Sequence, residues 1–195
     1  MAKRLRQTKT KERILDEYLV AAARLGDRRA FGLLAQRWNQ KLLAHAWRLL
    51  ADEESAKEAV QEAWAEIVWS ISKINDALAF PAWAYRIVSR RCAKLIGQAQ
   101  RRRQLEQAMI AEPAVQTSEA ETAMEIEKLR AAIRALPAGH RAAVALFHLE
   151  ELSIAEVAIA LDIPAGTVKS RLMHAGTSCE RFLKENNDAR SGKDD

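Results

Sequence analysis

The sequence has few of the residues that interrupt helices or build covalent frameworks. Its 195 residues include seven glycines, four prolines and 6% aromatic residues. The two cysteines, Cys92 and Cys179, lie far apart and form no C-x-x-C pair, which excludes a disulfide framework and argues against a structural zinc site. No apolar run approaches the ~20 residues of a membrane-spanning helix. We therefore expect no membrane span, no metal and no cofactor.

Charge is nearly balanced in total but unevenly distributed along the chain. Lysine and arginine number 31 against 26 acids, which gives a net charge of +5. Residues 1–13 are basic, with Glu12 as the one acid, and lack the apolar stretch of a signal peptide. We predict that residues 1–13 form a mobile basic arm and that the protein works in the cytoplasm.

Apolar residues recur at three- and four-residue steps almost throughout, which predicts an all-α protein. A first helix is expected to end at Gly26, and Asp27 and Asp52 are suited to cap the second and third helices. In the third helix, Trp69 falls outside the apolar stripe, close to carboxylates. An outward tryptophan beside acids is uncommon on a plain solvated surface.

The fourth helix, predicted over residues 82–103, contains basic residues and no acid. Arg86, Arg90 and Lys94 are four residues apart, so they share one face. Residues 104–122 then combine proline, serine and threonine with acids, which indicates a linker.

These patterns predict two small helical domains joined by a flexible linker. The N-terminal domain is expected over residues 14–103 and the C-terminal domain over residues 123–184. The polar residues 185–195 are expected to form a loose tail.

The most specific motif is the segment from Leu152 to Ala175, LSIAEVAIALDIPAGTVKSRLMHA. Ser153 and Glu156 have the spacing of a capping box. A tight turn leads to a second helix, so the segment predicts a helix-turn-helix whose second helix enters the major groove of DNA. The side chains expected on the outer face and flanks of that helix are Thr167, Lys169, Ser170, Arg171 and His174.

The chain resembles the bacterial extracytoplasmic-function (ECF, group IV) sigma factors. The segment LSIAEVAIALDIPAGTVKSRL is similar to their C-terminal helix-turn-helix, and RALPAGHRAAVALFHLEEL to the helices before it. GDRRAFGLLAQRW, DEESAKEAVQEAWAEIVWSI and FPAWAYRIVSRRCAKLI are similar to their N-terminal conserved domain. The resemblance covers residues 20–183.

The resemblance implies a sigma factor that binds core RNA polymerase, through the β′ clamp helices and the β subunit, and directs it to promoter DNA. The resemblance assigns polymerase binding to Glu58, Gln61, Glu62 and Trp69. It assigns binding of the melted −10 strand to Asn75, Phe80, Trp83, Arg86, Arg90, Arg91 and Lys94. It assigns binding of the −35 duplex to Thr167, Lys169, Ser170, Arg171 and His174, and it implies an anti-sigma factor as the regulator.

The sequence departs from many relatives at several of these positions. Arg90 replaces a common asparagine and Lys94 a common aspartate, while Pro81 stands where a basic residue is frequent. His174 and Gly176 occupy positions often held by arginine. Neither promoter element can therefore be assigned a base sequence.

Other classes of function fit the sequence less well. A helix-turn-helix regulator that binds operator DNA without polymerase is the main alternative, and a helical adaptor that binds only proteins is another. The sequence contains no Gly-rich phosphate loop, H-E-x-x-H or G-x-S-x-G motif, so no enzyme is predicted. Trp83 is equally compatible with packing and with lining the melted strand.

Overall fold

The computed structural model describes residues 2–107, 131–133 and 135–191, and every regular element among them is helical. The all-α prediction is confirmed for this part of the chain. Short 3-10 turns precede the fourth helix, and a π-helical turn, Ala145–Leu149, follows the fifth. The helices are α1 (Ala2–Arg24), α2 (Arg28–Leu50), α3 (Glu53–Ser70), α4 (Phe80–Gln107), α5 (Ala138–Val144), α6 (Ile154–Leu161) and α7 (Ala165–Ser191).

Local capping sets the boundaries of the first three helices as the sequence predicts. Gly26 adopts a φ of 94° after α1, a conformation that suits glycine. The carboxylate of Asp27 accepts hydrogen bonds from the backbone amides of Arg29 and Ala30 at 2.8 and 3.1 Å. Asp52 accepts from the amide of Ser55 at 2.8 Å and begins α3 in the same way.

Two helices extend further toward the chain ends than the sequence predicts. Helix α1 begins at Ala2, so residues 2–13 continue a helix rather than form a separate arm. Helix α7 extends to Ser191 and includes most of the expected tail. In both cases a packed helix continues through residues such as alanine, lysine and arginine, and elongation costs less than nucleation. Residues 104–107 belong to α4, while 108–122 lie outside the described residues.

The N-terminal helices share an aromatic and aliphatic core. Trp38 of α2 is buried, and its ring makes edge contacts with Phe80 and Tyr85 at centroid distances of 5.2 and 5.7 Å. Leu34 and Leu42 are fully buried on the same stripe of α2. Because α4 carries Tyr85 into this core, the basic stripe of α4 is held in a fixed orientation.

His45 is a core residue rather than a ligand. Its side chain is fully buried, and Nε2 lies 2.9 Å from the hydroxyl oxygen of Ser89. Burial, with a smaller effect from the charge of Arg48, lowers the pKa of His45 to about 3. The imidazole is therefore neutral at physiological pH.

The two helical domains that the sequence predicts pack against each other in this structure. Helix α4 packs along α6, and α2 packs along α5. Leu146, Val157 and Val168 of the C-terminal half are buried in the same cluster as Leu42 and Tyr85. Apolar surface that the patterns assign to two cores is thus shared in one.

Candidate nucleic-acid interface

Helices α6 and α7 form the helix-turn-helix that the sequence predicts. The hydroxyl of Ser153 accepts from the amide of Glu156 at 3.2 Å, and the Glu156 carboxylate accepts from the amide of Ser153 at 2.7 Å. This capping box begins α6, and Asp162 ends it in a left-handed conformation with φ of 54°. Buried Val157 and Val168 join the two helices.

The outer side of α7 presents polar and cationic side chains. Lys169 and His174 are exposed, whereas Thr167, Ser170 and Arg171 are half-buried. The Ser170 hydroxyl donates to the carbonyl oxygen of Thr167 at 3.0 Å. Among the described residues no carboxylate forms an ion pair with Lys169 or Arg171. The second helix therefore carries positive charge that is available to an anionic partner.

The basic stripe of α4 differs because its arginines have acidic partners. Arg91 contacts Glu66 at 2.5 Å and Glu62 at 3.0 Å, and the bonds to these carboxylates raise the pKa of Arg91. Arg90 lies 3.9 Å from Glu66. Helix α4 has no acidic residue within residues 82–103, so the carboxylates that pair with Arg90 and Arg91 come from α3.

Arg86 is paired across the two halves of the chain. One of its guanidinium nitrogens lies 2.9 Å from the carboxylate of Asp162, in the turn of the helix-turn-helix. Lys94 is exposed and has no ion-pair partner among the described residues. Of the stripe Arg86, Arg90 and Lys94, the two arginines therefore have carboxylate partners, and Lys94 has none among the described residues.

The outer face of α3 combines acids with exposed apolar side chains. Glu58, Glu62 and Trp69 recur at helical spacing on one face, and Gln61 lies beside them. The indole of Trp69 is 82% exposed, and neighbouring Val68 is 53% exposed. Two exposed apolar side chains beside acids are suited to a protein partner more than to nucleic acid.

The residues in and just after the loop before α4 that are predicted to contact DNA differ in their exposure. Asn75 is exposed, and its carbonyl oxygen accepts from Arg24 at 3.3 Å. Phe80 is buried against Trp38, so in this structure it positions the loop and is not itself on the surface. Trp83 is half-buried, with its ring centroid 6.0 Å from that of Phe80, so part of its ring packs on the core and part stays exposed.

Sequence reasoning missed three residues at these surfaces. Glu66 pairs with Arg91, and its position four residues after Glu62 could have indicated a shared face. Asp162 pairs with Arg86 across a sequence separation that no local pattern reveals. His140 lies beside His174, with ring centroids 6.5 Å apart.

The part of the chain that the structure describes contains neither a candidate metal site nor a candidate membrane-spanning helix. There, no group of three or more histidine, cysteine, aspartate or glutamate side chains is arranged to hold a metal ion. No helix in the same part of the chain is long and apolar enough to cross a membrane. Cys92 is buried, and burial raises the pKa of its thiol to about 12.

The fold and surfaces define a helical protein with a helix-turn-helix and a separate acidic and apolar face on α3. Family models agree in both halves: Sigma-70 region 2 matches residues 34–102, and Sigma-70, region 4 matches residues 126–178. The chain belongs to the sigma-70 family, in its group of ECF sigma factors. This family supports the sigma-factor hypothesis over a regulator that works without polymerase.

Curated relatives cover nearly the whole chain. The RNA polymerase sigma-H factor of Pseudomonas aeruginosa is 30% identical over 182 residues, which is 87% of this chain and 94% of the relative. The ECF RNA polymerase sigma-E factor of Haemophilus influenzae is 32% identical over 186 residues, covering 89% and 97% respectively.

Solved structures show the same fold. The sigma factor RpoE of Bartonella quintana, in complex with the anti-sigma factor NepR, matches with a TM-score of 0.63 and 19% identity, over 79% of this chain and 96% of that one. CnrH in complex with the cytosolic domain of CnrY matches with a TM-score of 0.61 and 22% identity, over 88% and 98%.

Proposed function

We propose that this sigma factor assembles with core RNA polymerase and directs it to promoters with two elements, a −35 duplex and a melted −10 strand. The observation that carries the proposal is the division of the surface. An acidic and apolar face lies on α3, a basic stripe on α4, and unpaired cations on the outer side of α7. The activity is binding rather than catalysis, and it takes place in the cytoplasm, where bacterial transcription occurs.

The polymerase-binding surface is proposed to be the outer face of α3, formed by Glu58, Gln61, Glu62 and Trp69. Exposed Trp69 supplies the apolar area that anchors many protein interfaces. Acids around it favour a basic helical partner, which fits the β′ clamp helices implied by the resemblance. Contact with the β subunit is proposed from the resemblance alone.

The −35 duplex is proposed to bind α7 through Thr167, Lys169, Ser170, Arg171 and His174. Arginine and lysine can contact guanine edges or phosphates, and serine and threonine can hydrogen-bond either. Lys169 is exposed and unpaired among the described residues, so binding requires no ion pair to break first.

The melted −10 strand is proposed to follow the basic stripe of α4. Arg86, Arg90, Arg91 and Lys94 provide the positive groove that single-stranded DNA needs. Exposed Asn75, in the loop before α4, is proposed to contact the same strand, while Phe80 and Trp83 pack at the start of α4. Opening of the duplex is stabilised by binding of the separated strand, without covalent chemistry.

An anti-sigma factor is proposed as the regulator, because the sigma factor RpoE of Bartonella quintana, which has the same fold, is bound to the anti-sigma factor NepR in its solved structure. Such a partner would block the α3 face, the DNA surfaces, or both.

Reconstitution with purified core polymerase tests the proposed function. We expect the chain to bind core polymerase and to give specific transcripts on promoters found by start-site mapping after overexpression. Failure to bind core polymerase would contradict the proposal. Specific operator binding without polymerase, together with that failure, would support the stand-alone regulator instead.

A further inference from the structure

One side chain of α5 and two side chains of α7, all with nitrogen-bearing groups, lie close together. His140 of α5 lies next to His174 of α7, with ring centroids 6.5 Å apart and planes inclined by 65°. Arg171, one turn before His174, lies against α5 as well. Among the described residues no carboxylate forms an ion pair with any of these three. We call this group the His-Arg cluster (His140, Arg171 and His174).

Gly139 makes the position of Arg171 possible. A Cβ atom on Gly139 would lie 2.9 Å from one terminal nitrogen of Arg171 and 3.1 Å from its central guanidinium carbon. Both distances are shorter than ordinary van der Waals contacts. The absence of a side chain at residue 139 therefore lets the guanidinium rest beside His140 and His174.

The surroundings of His140 disfavour its protonated form in the free protein. Burial, the charge of Arg171 and neighbouring His174 lower the pKa of His140, in that order. From the other side, α5 meets α2 through Arg141, whose guanidinium donates to the carbonyl oxygen of Arg48 at 3.0 Å.

We propose that the His-Arg cluster is a binding site for a backbone phosphate of the −35 duplex, and that His140 takes up a proton when the DNA binds. The site extends the recognition surface from α7 onto α5 and rests on the proposed function of α7. A phosphate would supply a negative charge that no carboxylate among the described residues provides there, and would favour the imidazolium form of His140.

This coupling gives the binding a defined pH dependence. Proton uptake on binding means that affinity falls as pH rises from 6 to 8, because neutral histidine must then be protonated against the solvent pH. If binding raises the pKa of His140 by about one unit, the affinity changes by at most about tenfold, and only part of that change falls between pH 6 and 8 because the pKa of His140 is lowered in the free protein. His45, with a pKa of about 3, does not titrate in this interval.

The test is fluorescence anisotropy with a labelled duplex that carries the −35 element of a promoter found by start-site mapping. The full chain is measured alone and assembled with core polymerase, between pH 6 and 8, in buffer with EDTA to exclude metal bridging. For the unmodified chain we expect the dissociation constant to increase by about 3- to 10-fold over this range.

Histidine variants assign the pH dependence. His140→Gln should abolish most of the pH dependence. His148→Gln, at an exposed histidine outside the cluster, is the matched control and should leave the pH dependence unchanged. His174→Arg adds a permanent positive charge to the cluster and should strengthen binding at pH 8. An unchanged pH dependence in His140→Gln would overturn the proposal.

Gly139→Ala tests the geometry without removing a charge. The new methyl group displaces the Arg171 guanidinium, so we expect about 3- to 10-fold weaker binding at every pH, the loss of one phosphate contact. Thermal unfolding should show an unchanged or higher midpoint, since alanine favours helix. Unweakened binding by this variant would contradict the site. If the unmodified chain does not bind the duplex in either form, the proposed function of α7 fails instead.

Discussion

The basic side chains of α4 and those of α7 differ in what they contact. Arg86, Arg90 and Arg91 all lie within 4 Å of a carboxylate, at distances from 2.5 to 3.9 Å. Within the described residues, Lys169 and Arg171 have no such partner. The cationic side chains of the two helices therefore differ in whether a carboxylate already neutralises their charge.

This difference separates the two proposed DNA-binding steps. The α7 surface can meet duplex DNA without first breaking an ion pair. The α4 stripe must exchange Asp162 and Glu66 for phosphates, and its neighbour α6 must move for a strand to reach the whole groove. We therefore expect α7 to contribute to initial binding and α4 to contribute after the two halves have separated.

The largest expected effect concerns the cationic side chains of α7, which have no carboxylate partner among the described residues. Lys169→Ala combined with Arg171→Ala should weaken −35 duplex binding by about 1–3 kcal/mol for each side chain. Anisotropy with duplex DNA measures this loss. Arg28→Ala, at an exposed arginine on another helix, is the control and should change little. Equal losses in both variants would mean that charge alone, not its position on α7, governs binding.

A second test asks whether the α3 face serves a protein partner. Trp69→Ala should weaken core polymerase binding by about 2 kcal/mol or more, because buried tryptophans are frequent hot spots of interfaces. Its indole is 82% exposed, so the unfolding midpoint should be unchanged. Competition binding to labelled core polymerase gives the affinity. Undiminished binding would remove Trp69 from the interface.

A third test separates two adjacent arginines of α4. Arg91→Ala removes a partly buried side chain with two carboxylate partners, so it should lower the free energy of unfolding by about 1 kcal/mol. Arg90→Ala should leave stability nearly unchanged, and should weaken open-complex formation and its salt sensitivity. Denaturant unfolding and permanganate footprinting measure the two effects. Identical profiles would contradict the division between them.

The smallest expected effect concerns the pair across the two halves. Asp162→Asn removes the partner of Arg86 but retains a residue that tolerates the left-handed backbone at φ of 54°. An exposed ion pair contributes about 0.2–1 kcal/mol, so single-stranded −10 DNA should bind up to about fivefold more tightly. Glu150→Gln, which removes the Lys41 partner instead, is the control. Weaker binding by Asp162→Asn would show that Asp162 does not compete with DNA.

Local patterns predicted the elements of the fold because local interactions create them. Asp27, Asp52 and Ser153 cap the helices that the sequence assigns to them, through bonds within a few residues. The stripe containing Trp38 and Leu42 is buried as its spacing indicates. These features depend on the order of neighbouring residues, which the sequence displays directly.

The arrangement of the two halves could not be predicted in the same way. The Arg86–Asp162 pair joins residues that are 76 positions apart, and no periodic pattern links them. The contact between His140 and His174 likewise depends on how α5 packs on α7. Residue types indicated candidate surfaces, whereas tertiary packing decides which charges are paired. The roles of the individual site residues stay predictions.

Run-off transcription with reconstituted holoenzyme on matched templates tests the central claim most directly. One template is fully duplex and the other is pre-melted across the −10 element. We predict that Arg90→Ala loses activity on the duplex and regains it on the pre-melted template, while the Lys169→Ala and Arg171→Ala double variant is impaired on both. Equal rescue of the two variants, or no stimulation of core polymerase by the unmodified chain, would contradict the account.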